Sequence, residues 1–150
     1  MCKFLAGFLS CALLIVAVGL LSSSRAADWG VVTLHSHHFD NDKPKDYEQS
    51  NWGPGWEHDF SERWKAAVGM YRNSNRINST YLTAVYSPLK YGPFKLGTAF
   101  GIVTGYSIEP QPAIIPVLMV EGSRLGFNIT YVPRTSTNVP VIAWQVKVRF

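Results

Sequence analysis

The last ten residues display the pattern by which the rest of the chain is read. Over 141–150, Ile142, Trp144, Val146, Val148 and Phe150 share one face of an extended strand, and Ala143, Gln145, Lys147 and Arg149 share the other. One greasy and one hydrophilic face fit a strand with lipid outside and a polar lumen inside. The same period of two recurs where Phe94, Leu96, Thr98, Phe100 and Ile102 alternate with Lys95, Gly97, Ala99, Gly101 and Val103, and where Leu125, Phe127, Ile129 and Tyr131 alternate with Gly126, Asn128 and Thr130. Small inward residues are what a narrow barrel needs. These patterns predict strands at 94–106, 124–132 and 141–150, and less regular ones at 28–39, 52–60, 64–72, 80–87 and 113–120.

The predicted connections alternate in length. Short ones fall at 61–63, 88–93 and 121–123, and mostly longer, polar ones at 40–51, 73–79, 107–112 and 133–140. Such alternation belongs to an up-and-down barrel with periplasmic turns and outer loops, both termini lying on the periplasmic side. Aromatics then collect at two levels: Trp29, Trp64, Tyr91 and Phe150 at the inner rim, and Phe39, Trp52, Tyr71, Tyr81, Tyr106 and Tyr131 at the outer. The predicted fold is therefore all-β, an eight-stranded antiparallel transmembrane barrel, closed because edge amides cannot go unpaired in hydrocarbon. A soluble lipocalin-like barrel with an apolar interior is the alternative; Gln145, Lys147 and Arg149 opposite the apolar face of the last strand argue against it.

The N-terminus modifies this picture. Met1-Cys2-Lys3 precedes an apolar run from Phe4 to Leu21, and Ser22-Ser23-Ser24-Arg25-Ala26 follows, the order of a secretory leader cut after Ala26. Residues 1–26 are thus read as a signal peptide rather than a permanent anchor, and 27–150 as the barrel. Cys11 sits too deep in the run for lipidation. Both cysteines, Cys2 and Cys11, leave with the leader, so no disulfide or thiolate-metal framework is expected. Loss of Lys3 and Arg25 lowers the net charge from +4 to +2, too little to argue for nucleic acid. No cofactor is predicted. His35 and His37, two apart on one strand face, form the only plausible metal pair, and no metal site is predicted from them. A solute pore is disfavoured because eight strands leave little free lumen.

Pro110-Gln111-Pro112-Ala113-Ile114-Ile115-Pro116, Thr130-Tyr131-Val132-Pro133 and Ala143-Trp144 resemble the P-x-P-x-x-x-P spacing, the T-Y-I-P and the last-strand A-W of the PagP-type lipid A palmitoyltransferases. Upstream, Tyr47 with Trp52-Gly53-Pro54-Gly55 resembles Y-x-x-x-x-W-G-G-G, and Phe94-Lys95-Leu96-Gly97 resembles F-x-L-G. The resemblance implies a bacterial outer-membrane barrel that moves an acyl chain from phospholipid to lipid A, with phospholipid and lipopolysaccharide as partners. The outer-membrane assembly machinery would read the C-terminal Phe150. It also gives the prolines a role. Proline cannot donate to a ladder, so Pro112 and Pro116 are expected to interrupt pairing near the outer end of the sixth strand, and Pro133 and Pro140 between the seventh and eighth, as lipid gates. Loop-boundary proline is the plainer reading.

The resemblance implies catalytic residues at the outer ends of the first and third strands, a His and an Asp-Ser pair. The corresponding segments are Leu34-His35-Ser36-His37-His38-Phe39 and Tyr71-Arg72-Asn73-Ser74-Asn75-Arg76. His35 with Ser74 is the leading pair, and Asn73 occupies the Asp position. Asn73 cannot carry the charge, and both it and Ser74 also suit a tight turn. The family's His stands three residues before a Phe, whereas His35 stands four before Phe39; one residue of slip turns a side chain to the other face, which leaves His38, of opposite parity, as the substitute. Lys43, Lys45, Arg72, Arg76 and Arg134 would ring the outer rim, as phosphate ligands or as solvated charges. The missing N-terminal helix of the resembled enzymes and the shorter loops mark a reduced relative. The alternative is a non-catalytic barrel with a structural, lipid-binding or surface-interaction role.

Overall fold

The computed structural model describes residues 27–39, 47–134 and 139–150; the expected leader at 1–26, Lys43 and Lys45 lie outside the described residues. Eight strands follow in order: β1 (Ala27–His38), β2 (Ser50–Asp59), β3 (Trp64–Arg72), β4 (Asn78–Tyr91), β5 (Phe94–Val103), β6 (Gln111–Glu121), β7 (Leu125–Val132) and β8 (Val141–Arg149). Each pairs antiparallel with the next, and β8 pairs back onto β1 from Trp29↔Arg149 to His38↔Val141, closing the ring. A final bond from Phe150 N to Asp28 O finishes the seam. At the end of the barrel that holds the termini the connections are 60–63, 92–93 and 122–124; at the opposite, loop end they are 39–49, 73–77, 104–110 and 133–140.

The exterior is apolar, with Trp52, Trp56, Leu82, Leu89, Phe94, Phe100, Ile114, Phe127 and Val148 all exposed. Lys65, Lys147, Glu57, Asn128 and Asn73 are buried inside. Hydrophilic residues inside and greasy ones outside is the inversion expected of a membrane barrel. The aromatic levels need correction, however. Trp64, Tyr91 and Phe150 at the terminal end, and Phe39, Trp52 and Tyr131 at the loop end, do face outward. Trp29 does not: it is wholly buried, its Nε1 donates to Asp59, and Lys147 and Arg149 lie over its ring. Tyr71, Tyr81 and Tyr106 also turn inward, and the hydroxyls of Tyr71 and Tyr106 meet at 2.9 Å. Their parity places them there: Tyr71 continues the inward series Lys65, Ala67 and Gly69, and Tyr81 pairs with Gly69. Gly55, Gly69 and Tyr81 lie side by side, and a Cβ on either glycine would stand 2.5 Å from the Tyr81 hydroxyl. The ring can lie flat on the wall only because both neighbours lack side chains.

Two strands differ in extent from expectation. β4 runs on to Tyr91 through a register shift between Tyr86 and Leu89, so residues 88–91 extend a hairpin where a turn is predicted, and Gly92, at φ 56°, makes the actual reversal. β5 stops at Val103, and Tyr106 enters the lumen from the loop beyond.

The terminal half of the lumen is filled by charge. Lys147 Nζ bonds Glu57 Oε2 at 2.8 Å and Glu121 Oε1 at 2.6 Å; Lys65 reaches Glu57, Asp59 and Glu121; Lys95 caps the other Glu121 oxygen at 2.6 Å. Three ammonium groups thus meet three carboxylates with no net charge. Asn128 donates to Glu57 and Gln145, and Gln145 to Thr33, extending the network upward. A small apolar cluster of Val85, Val117, Met119 and Ala99 packs beside it. Toward the loop end the inward residues Ala113, Ile115, Thr130 and Ala143 are small or partly exposed, so that half of the barrel is the more open one.

Candidate functional site

A bulge decides which histidine reaches the lumen. Between Thr33 and His35 the partner on β8 advances only from Gln145 to Trp144, so Leu34 is an extra residue in β1. Below the bulge, Trp29, Val31 and Thr33 point inward; above it the parity flips, Leu34 and His35 are exposed, and Ser36 is buried. One inserted residue does this because the side-chain period is two. His35 therefore lies on the outside, stacked on the ring of Trp144 at 5.6 Å, and is not brought to Ser74. His37 faces outward too, edge-on to Phe39.

His38 takes the inward place instead. Its Nε2 lies 2.8 Å from Ser74 Oγ, a contact that fits a hydroxyl nucleophile with its base. The imidazole stacks on Tyr47, with centroids 4.4 Å apart and planes 11° from parallel. Backbone bonds from Glu48 N to Ser74 O and from Ser36 N to Gln49 O tie the returning limb of the β1–β2 connection to both halves of the pair. Asn51 adds a bond from its side-chain amide to Arg72 O. Phe39 N donates to Pro140 O, so the 133–140 connection is anchored beside the same histidine.

Asn73 spends its side-chain amide on the turn. Fully buried, it donates to Ser79 Oγ and to Gly105 O, while its Oδ1 accepts from the backbone of Asn75 and Ile77. That uses both donors and both acceptor sites of an amide. Its grip on Gly105, which holds φ 83°, directs Tyr106 into the lumen. Burial pushes the Tyr106 phenol up, and the bond from Tyr71 pulls it part of the way back. Asn73→Ala is expected to cost about 1–3 kcal/mol through the unsatisfied turn amides and Ser79. Asn73→Asp, which restores the family's acid, would set an acceptor-only carboxylate against Gly105 O, so it too lowers the urea midpoint in detergent micelles and raises no activity.

The gate prolines divide into two cases. β6 pairs with β5 along its whole length, Pro112 opposite Ile102 and Pro116 opposite Thr98, but its ladder with β7 begins only at Val117↔Thr130. Residues 111–116 therefore have no β7 partner, and the wall is unlaced there at the loop end. Pro133 and Pro140 open no such gap: β7 and β8 pair without a break from Leu125↔Val148 to Val132↔Val141, and the prolines lie beyond the last pair. A second unlaced stretch was not anticipated. The β2–β3 ladder ends at Gly55↔Gly69, leaving 50–54 without β3 partners. There Gly53 packs so close that a Cβ would sit 2.0 Å from Met70 O. Pro54, which has no N–H to offer, was the available signal.

The described residues hold no cluster of three or more metal-ligating side chains. Arg72, Arg76 and Arg134 are exposed at the loop end.

Comparison with known proteins accords with the motifs. No family model matches the chain. The chain is 29% identical over 130 residues to the lipid A acyltransferase PagP of Laribacter hongkongensis strain HLHK9, covering 77% of this chain and 63% of that protein. It thus spans less than two thirds of that relative. Among solved structures, the de novo designed TMB2.3, determined by solution NMR, superposes with a TM-score of 0.62 at 10% identity over 83% of this chain and 95% of that one, a likeness of fold alone. The outer-membrane protein Ail of Yersinia pestis gives a TM-score of 0.44 at 11% identity, over 84% of this chain and all of that one. The chain thus resembles a PagP-type acyltransferase in sequence and TMB2.3 in fold.

Proposed function

We propose that this barrel transfers an acyl chain from an outer-membrane phospholipid to lipid A, with Ser74 and His38 as the reacting pair. The observation that carries the reading is the 2.8 Å contact between Ser74 Oγ and His38 Nε2 at the loop end of the barrel, the same end at which β6 lacks its β7 partner. A phospholipid acyl chain enters through the unlaced stretch beside Pro112 and Pro116 and lies along Ala113, Ile115, Thr130 and Ala143. Ser74 Oγ attacks the ester carbonyl as its proton passes to His38 Nε2. The ester C–O bond then breaks, and that proton leaves with the lysophospholipid alkoxide. A lipid A hydroxyl then attacks the acyl-serine and gives its proton to His38 Nε2; the acyl C–Oγ bond breaks, and that proton returns to Ser74 Oγ. Arg72 and Arg134, exposed at the loop end, would meet lipid A phosphates, for which guanidinium forks are suited. The exposed Phe150 is the feature that assembly machinery would engage.

The decisive experiment expresses the chain in an outer membrane devoid of lipid A acyltransferases and weighs the lipid A by mass spectrometry. One added acyl chain per lipid A is expected. Unmodified lipid A from cells that hold the folded barrel overturns the enzymatic reading and leaves a lipid-binding or structural barrel.

A further inference from the structure

A catalytic histidine of the serine-hydrolase kind is held by a hydrogen bond at the nitrogen remote from the nucleophile, usually from a carboxylate. Here that nitrogen, His38 Nδ1, is buried and has no hydrogen-bond partner among the described residues. The amide at the family's acid position is spent on its own turn. Among the described residues, one other contact orients the ring, and it does so by shape. Tyr47 lies face to face with the imidazole, 4.4 Å away and within 11° of parallel, in the stacked range in which aromatic pairs attract. Its segment is pinned by Glu48 N on Ser74 O and by Gln49 O on Ser36 N, so the ring and the serine are referenced to one piece of backbone.

We infer that Tyr47 is the positioning residue of this site: its ring face, rather than a third hydrogen-bonding partner, holds His38 Nε2 toward Ser74. The inference rests on the reading of Ser74 and His38 as the reacting pair, but its geometry can be tested apart from any activity. The reaction requires Ser74 to donate to Nε2, with the proton of the neutral ring on Nδ1, its less usual form. A flat aromatic is required, and its hydroxyl is not.

The test is nitrogen NMR of the whole barrel in detergent micelles, with histidine ¹⁵N-labelled and the His38 signals assigned through His38→Gln. Wild type and Tyr47→Phe are expected to show His38 as one tautomer with an unprotonated Nε2. Tyr47→Ala is expected to show a mixture, with the β-strand amide signals unchanged; Tyr47→Leu, bulky but not flat, gives the same contrast if the alanine variant does not fold. In the lipid A assay, Tyr47→Ala or Tyr47→Leu lowers kcat about 100-fold, the scale of a misplaced reacting group, with KM nearly constant, while Tyr47→Phe stays within a few-fold. Unchanged His38 signals in both the alanine and leucine variants overturn the inference, as does a Tyr47→Phe variant as impaired as Tyr47→Ala. Absence of transfer by the wild type removes the enzymatic reading alone, since the NMR contrast is still decided.

Discussion

Ser74→Ala is expected to reduce acyl transfer to lipid A by roughly 10⁴-fold or more, and His38→Ala by about 10²–10⁴-fold, while His35→Ala stays within about two-fold of wild type. Removing the oxygen that would carry the acyl group abolishes the covalent route altogether, which is why the serine variant should show the larger loss. A base contributes less because a solvent molecule can replace part of its function. The alanine at position 35 is the informative control. His35 precedes the same loop and is only three residues from His38, yet it sits outside the wall against Trp144. Equal losses at 35 and 38 would contradict the parity set by the Leu34 bulge. Mass spectrometry of lipid A from cells with matched amounts of folded barrel measures all three.

Lys147→Met should destabilise the barrel by about 3–5 kcal/mol, the cost of leaving a buried charge without its partner. The lysine is entirely buried, and its ammonium is shared between Glu57 and Glu121. Methionine fills similar space but leaves Lys65 as the single ammonium bound to Glu57, and leaves Glu121 on Lys65 and Lys95. The six-membered balance becomes one negative charge in excess among buried side chains. Lys147→Met combined with Glu57→Gln restores neutrality and should recover a substantial part of the loss, because two neighbours in one network do not behave additively. Urea unfolding in micelles gives both values. Lys90→Met, an exposed lysine on the hairpin of β4 and β5, should move the midpoint little.

The fold was legible wherever alternation is strict. β8 has four apolar residues facing outward, Ile142, Trp144, Val146 and Val148, with Phe150 following in phase, and a hydrophilic series facing in, and one face assignment there orients the neighbours on both sides. Legibility failed at insertions. Residues 34–38 hold a leucine, three histidines and a serine, none of which says which side it prefers, so the bulge at Leu34 left no mark in the pattern and the histidine assignment slipped with it. In β4, Pro88 reads as a turn although the strand continues past it through a register shift. Aromatics failed for another reason. Tyr71, Tyr81, Tyr106 and Trp29 suit an interface as well as they suit a lumen with polar partners, because each joins a greasy body to a polar tip. Only the neighbours on nearby strands decide: Gly55 and Gly69 for Tyr81, Asp59 for Trp29. The acid-to-amide change at Asn73 was visible in the sequence, but its meaning was not, since the amide's four bonds run to Asn75 and Ile77 in its own loop, to Ser79 in β4 and to Gly105 in the loop after β5.

The ionic layer made by Lys65, Lys95, Lys147, Glu57, Asp59 and Glu121 has a directional consequence. It turns the barrel from a tube into a vessel with a sealed base. Under the proposed function, an acyl chain that enters sideways near Pro112 and Pro116 meets that base and leaves by the side from which it came, so exchange stays within one surface.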